Sequence, residues 1–172
     1  MRAILASAGI AIMAGPALAQ KPLDLQTVSV GAWTIATTYK ADKFENCTMT
    51  RSVTDLGVVF IRNHDGLILS LDSPKWRLDR DKAYTVSLST GSQSVEVQAL
   101  AESKSVIIAL ANRPFNDRLR TSNTLEVRGE GATLRVPLDG SAAGLDRLDL
   151  CFEKNVRQSP EANPFVAPGR KP

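Results

Sequence analysis

The run Gly57–Leu71 reads GVVFIRN-HDG-LILSL, two short apolar segments held apart by His64-Asp65-Gly66. Both segments are rich in β-branched and aliphatic side chains, which suit a pleated, half-buried surface. Asp-Gly between such segments signals a β-hairpin, because the turn needs positive φ at a position where glycine is unstrained. The same alternation extends outward in both directions. Upstream, Val28, Val30, Trp33, Ile35 and Thr37 alternate with polar residues, with Gly31 expected as a bulge or kink, and Cys47, Met49, Arg51 and Val53 form a second alternating run. Trp33, in phase with Ile35, is expected in the core.

Downstream, Asp72-Ser73-Pro74 interrupts the pattern and Asp79-Arg80-Asp81-Lys82 reads as a solvated turn. Strand character returns at Tyr84, Val86 and Leu88, turns at Thr90-Gly91-Ser92, and resumes through Val95, Val97 and Ala99 and then SVIIAL at 105–110. Two further strands are expected around Leu125 and Val127 and around Leu134, Val136 and Leu138, joined through Gly129-Glu130-Gly131. Short strands with turns every 8–12 residues or so are the mark of a sandwich or barrel.

Two segments have helical spacing instead. Phe115 and Leu119 lie four apart behind Pro114, which suits a helix start. Leu145, Leu148 and Phe152 make an apolar stripe after Ser141, a candidate N-cap. The expected fold is therefore all-β, an antiparallel β-sandwich with a short helix and a C-terminal helix.

The N-terminus has the order of a secretory signal peptide: Met1-Arg2, an uncharged apolar run Ala3–Ala14, Gly15-Pro16, then Ala17-Leu18-Ala19 as a small-x-small cleavage site. The run is too short to span a bilayer, which takes about 20 residues. Cleavage is expected between Ala19 and Gln20, sending the chain to the periplasm or the exterior. Residues 20–27 then form a polar leader, 28–154 a single β-sandwich domain and 155–172 a disordered tail with prolines at 160, 164, 168 and 172. No second long apolar segment follows, so no transmembrane segment is expected in the mature chain. Cys47 and Cys151 are the only cysteines; in an oxidising compartment an isolated pair 104 residues apart is expected as one structural disulfide, since a redox couple favours Cys-x-x-Cys.

Chemistry is sparse. A formal net charge of +3 and 5% aromatic residues do not suit nucleic-acid binding, which concentrates cations and stacking rings on one face. The single histidine, His64, sits in the expected turn, so the usual zinc sets and a serine triad have little to draw on. No glycine-rich phosphate cradle is apparent, and neither a cofactor nor a metal is expected. Trp76, flanked by Lys75 and Arg77, is the best candidate for a partner contact, with Phe165 of the tail a second.

Trp33-x-Ile35, Cys47-x-Met49 and the segment Leu138-Asp139-Gly140-Ser141 through Leu145, Leu148 and Cys151 together resemble the invasion-associated locus B family of small exported α-proteobacterial proteins. The resemblance spans roughly residues 30–153. It implies a periplasmic or surface β-sandwich with a structural disulfide and no catalytic residues to carry over. The expectation is an exported, non-enzymatic interaction module that binds an envelope or partner protein. Two alternatives stand beside it: a small-ligand binder with an apolar pocket between the sheets, and a small envelope hydrolase using carboxylates brought together by folding.

Overall fold

The computed structural model describes residues 27–158. The expected signal peptide, the leader up to residue 26 and the chain beyond Gln158, Phe165 included, lie outside the described residues. Ten strands and two helices follow in order: β1 Val28–Val30, β2 Trp33–Lys40, β3 Lys43–Val53, β4 Leu56–Asn63, β5 Gly66–Asp72, β6 Ala83–Thr90, β7 Gln93–Ala101, β8 Ser105–Ala109, α1 Arg113–Thr121, β9 Thr124–Arg128, β10 Thr133–Pro137 and α2 Ser141–Gln158.

The fold is all-β and antiparallel, with the short helix, the C-terminal helix and the disulfide that the sequence led one to expect. The two layers of the sandwich are not separate sheets. All ten strands join in one sheet in the order β1-β2-β3-β4-β5-β8-β7-β6-β9-β10. Register places Met49 opposite Phe60, Phe60 opposite Leu69, Leu69 opposite Ile108, Ile108 opposite Ala99 and Leu88 opposite Val127. Directly opposed residues share a face, so one face of the sheet is apolar from end to end. That face buries itself by curling. Trp33 on β2 donates from its indole Nε1 to the Asp139 carbonyl just past β10 at 2.9 Å, and Arg51 on β3 reaches the Pro137 carbonyl. The first and last parts of the sheet thus meet around a single core that includes Trp33, Phe60, Leu88 and Val136.

Tight turns set the strand pairing. Gly66 has φ of +132°, and the Asn63 side chain accepts from the backbone N–H groups of Asp65 and Gly66, fixing the β4–β5 hairpin. Gly31, expected as a bulge, instead lies with Ala32 in the turn between β1 and β2, at φ +59°, because Val30 pairs directly with Trp33. The β2–β3 turn uses Ala41 and Asp42, both at positive φ, with no glycine to mark it.

Helix α1 begins as the sequence suggests, with Pro114 in its first turn and the Asn112 side chain accepting from Phe115 N. Phe115 and Leu119 enter the core. Helix α2 packs on β2, β3 and β4 and against α1. Gly144 allows the approach: a Cβ there would come within 2.8 Å of Met49 Sδ. Ser141 does not serve as an N-cap; its buried hydroxyl donates to the Leu119 carbonyl at 2.7 Å, tying the start of α2 to the end of α1. The helix also runs through Gln158 rather than yielding to a tail at residue 155. The first proline after α2 is Pro160, whose missing N–H and ring act on the helix no further back than residue 156, so it limits the helix near its end and not at residue 155.

Cys47 on β3 and Cys151 on α2 form the disulfide, with a Cα–Cα distance of 6.2 Å. Reduction, or Cys47→Ser, is expected to lower unfolding stability by about 2–5 kcal/mol, since the open chain regains the entropy of a long loop; an unchanged Tm under reductant would show that the bridge contributes nothing. A second outcome concerns acid. The Arg51 guanidinium, hydrogen-bonded to Asp139 at 2.6 Å, holds that carboxyl below its ordinary value of 3.8, with the cation's charge adding to the effect. A lowered folded-state value stabilises above 3.8 and loses its contribution as pH falls through the folded value. The Tm difference between the wild type and Asp139→Asn should therefore be largest near neutrality and shrink as pH falls below 3.8; a constant difference would mean that the pair has no linkage to folding.

Candidate binding cleft

The inward face of β6 shows how the core opens at one end. Leu88, deep in the strand, is fully buried; Val86, two residues earlier, is 9% exposed; Tyr84, two earlier again, is only partly buried. The cause is the placement of the helices. α2 covers β2, β3 and β4, and α1 meets β6 and β7, with Phe115 and Val95 at a common recess. Neither helix is among the residues that line the start of β6 and its neighbours, and a cleft of about 610 Å³ remains there. Its floor is formed by Tyr84, Val86, Ile108, Val127 and Leu134, and Trp76 lies on its wall.

Trp76 is brought to the cleft by the connection between β5 and β6, which backbone hydrogen bonds hold to the β7–β8 turn. Ser73 N donates to the Lys104 carbonyl at 3.0 Å, Leu78 N to the Ser103 carbonyl at 3.0 Å, and Asp81 N to the Ala101 carbonyl at 2.8 Å. The opposite lip is the β9–β10 turn, Gly129 to Ala132. Glu130 is the one large side chain of that lip, between two glycines and followed by an alanine. Lys82 lies over the Tyr84 ring, its Nζ 5.1 Å from the ring centre, and pairs with Asp79 at 3.5 Å. One cation thus stands at the rim of a mostly apolar recess.

The structure divides the contact residues suggested by the sequence. Trp76 faces the cleft, half-buried, whereas Lys75 points away and bonds Asp55 at 2.5 Å, and Arg77 is exposed outside the cleft lining. Pro74 and Lys75 form a turn closed by Trp76 N donating to the Ser73 carbonyl at 3.2 Å, and beyond it burial alternates, with Lys75 and Arg77 exposed and Trp76 half-buried. Phe165 lies outside the described residues. Tyr84, Val86, Val127 and Leu134 were legible only as strand residues facing inward; nothing in the alternation distinguishes a covered inward position from an uncovered one.

The chain matches no family model, no curated protein and no solved structure. Its function therefore rests on its own geometry. The cleft volume falls within the range of about 300–1,000 Å³ typical of small-molecule sites, and its mostly apolar wall with a few polar groups is also typical. Its polar complement is Lys82, Glu130 and exposed backbone of the 129–132 turn. Among the described residues, no group of three or more His, Cys, Asp and Glu is placed to hold a metal ion. His64 stands elsewhere, edge-on to Phe152 at 5.3 Å and Phe44 at 6.5 Å, in an aromatic cluster that Arg62 caps from 5.2 Å over Phe152. Those ring contacts are what the structure gives the single histidine. No described helix is long and apolar enough to cross a membrane.

Proposed function

We propose that this protein is an exported, non-enzymatic binding module of the cell envelope that holds a small apolar molecule, or the apolar part of a larger one, in the cleft beside Trp76. The observation that carries the proposal is the recess of about 610 Å³ itself, in which the half-buried Tyr84 and Leu134 stand beside the buried Val86, Ile108 and Val127, so that the core lies directly behind its lining. Apolar surface of this kind is stabilised when something other than water covers it. A concave, mostly apolar recess suits a small ligand better than a flat protein surface, so the small-ligand reading of the sequence is preferred here to a protein partner at this site. The signal-peptide pattern supports export, and the resemblance to invasion-associated locus B proteins fits a periplasmic or surface location. A role in host association is not part of the proposal.

The mode of binding follows from the lining. Burial of the ligand's apolar surface supplies the affinity, at roughly 25 cal/mol per Å² removed from water. Trp76 and Tyr84 offer ring faces, and Lys82 at the rim orients any anionic end of the ligand.

The cleft can be tested with a neutral apolar fluorophore, N-phenylnaphthylamine, titrated into the protein. Saturable binding is expected, and it should be lost in Lys82→Trp and in Ala132→Trp, which fill the mouth from exposed positions and leave the core untouched. Binding that both variants retain at full strength would place the probe elsewhere and remove the basis for the proposal.

A further inference from the structure

A second, differently built surface lies at the β1–β2 edge and shares no lining residue with the cleft. β1 covers β2 only from Trp33 to Ile35, so among the described residues Ala36–Lys40 have no strand partner on their outer side. An uncovered edge is a template for another strand. Three of the four large hydrophobic residues exposed among the described residues gather at this edge: Leu150 at 57%, Tyr39 at 40% and Val28 at 37%. Between β1, β2 and α2 runs a groove of about 300 Å³ with Val28 and Ile35 on the sheet side and Arg147, Leu150 and Lys154 on the helix side. Tyr39 joins its far end, donating to Asn155 Oδ1 at 2.7 Å.

Charge gives the groove its direction. Arg147, Leu150 and Lys154 fall on one helical stripe, the two cations two turns apart, about 10 Å along the axis. Among the described residues neither cation has an acidic partner. The acids of α2 are engaged elsewhere: Asp146 and Asp149 with Arg120, Asp149 also with Arg62, and Glu153 with Arg157. Two uncompensated cations therefore bracket an exposed leucine beside an open strand edge. A second copy docked edge to edge would bring four such cations together, so like-charge repulsion opposes self-pairing.

We infer that this edge binds an extended segment of a partner protein in which acidic residues flank an apolar one. The segment adds as a strand along Ala36–Lys40, its backbone bonding to β2. Its apolar side chain seats beside Leu150 and Val28, and its acids reach Arg147 and Lys154. This is strand addition, in which main-chain bonds supply affinity and alternate side chains supply specificity.

The test uses the chain without residues 1–19 and a fluorescein-labelled peptide carrying Glu-Val-Leu-Val-Glu, read by fluorescence anisotropy. The wild type should bind it and should bind the Lys-Val-Leu-Val-Lys counterpart far more weakly. Arg147→Glu with Lys154→Glu should weaken the acidic peptide about tenfold or more, as two exposed charge contacts would, and should reverse the preference between the two peptides. Leu150→Gln should weaken both. All three positions are exposed, and circular dichroism with Tm would confirm that the variants fold. Failure of the wild type to bind, or equal binding of both peptides, would overturn the inference. Two other outcomes would reassign the edge and equally overturn it. Stronger peptide binding by Asp24→Lys would show that the chain's own leader occupies the groove, and a dimer in sedimentation velocity that Leu150→Gln dissociates would give it to a second copy.

Discussion

A ten-stranded sheet with one wholly apolar face cannot remain flat in water. Every strand from β2 to β10 places its alternate large side chains on the same side, and the register aligns them into continuous rows from Met49 through Phe60, Leu69 and Ile108 to Ala99. Covering that face is the constraint that the rest of the molecule answers. The sheet curls until Trp33 meets the backbone beyond β10, α2 lies across the first half, and α1 closes one end. The disulfide and Gly144 belong to the same solution. One links α2 covalently to β3, and the other lets it sit close enough to bury Met49 and Trp33. Where the cover runs out, a cleft is left.

The ion pairs around α2 work at the margins of this arrangement. Arg120 on α1 bridges Asp146 and Asp149 on α2, and Arg62 of β4 adds to Asp149. These groups are partly exposed, and pairs of that kind contribute about 0–1 kcal/mol each. Their effect is better seen as orientation. They draw one side of the helix toward α1 and the sheet, which leaves Arg147, Leu150 and Lys154 on the side facing the free edge of β2.

Much of the fold was legible because local rules and tertiary packing agree. Asp65-Gly66 between GVVF and LILSL gave the central hairpin, Pro114 with Phe115 and Leu119 gave α1, and two cysteines left one pairing. The failures have equally specific causes. The Ala41-Asp42 turn carries positive φ without a glycine, so no residue signals it. The pairing of β5 with β8 and of β6 with β9 joins segments far apart in sequence, where alternation says which face a residue takes but not which strand lies beside it. For that reason the single curled sheet read as two layers. Trp76 stood out by its size and proved to line the cleft, whereas Lys75 and Arg77, grouped with it by adjacency, diverge from it. The groove residues were missed because Leu150 lies off the apolar stripe of α2 and read as an ordinary surface position.

The chain order of the two cysteines imposes a timetable. Cys47 leaves the ribosome 104 residues before Cys151, and the strands β4 to β10 lie between them. During synthesis the first thiol has no legitimate partner until the last helix has emerged and docked. The native geometry of the bond exists only where α2 lies on the sheet beside β3, so closing it favours the chain in which that helix has docked. The disulfide thus acts as a seal on completed assembly, and a truncated or stalled chain is marked by a lone reactive thiol that any oxidase or thiol-scavenging system can recognise.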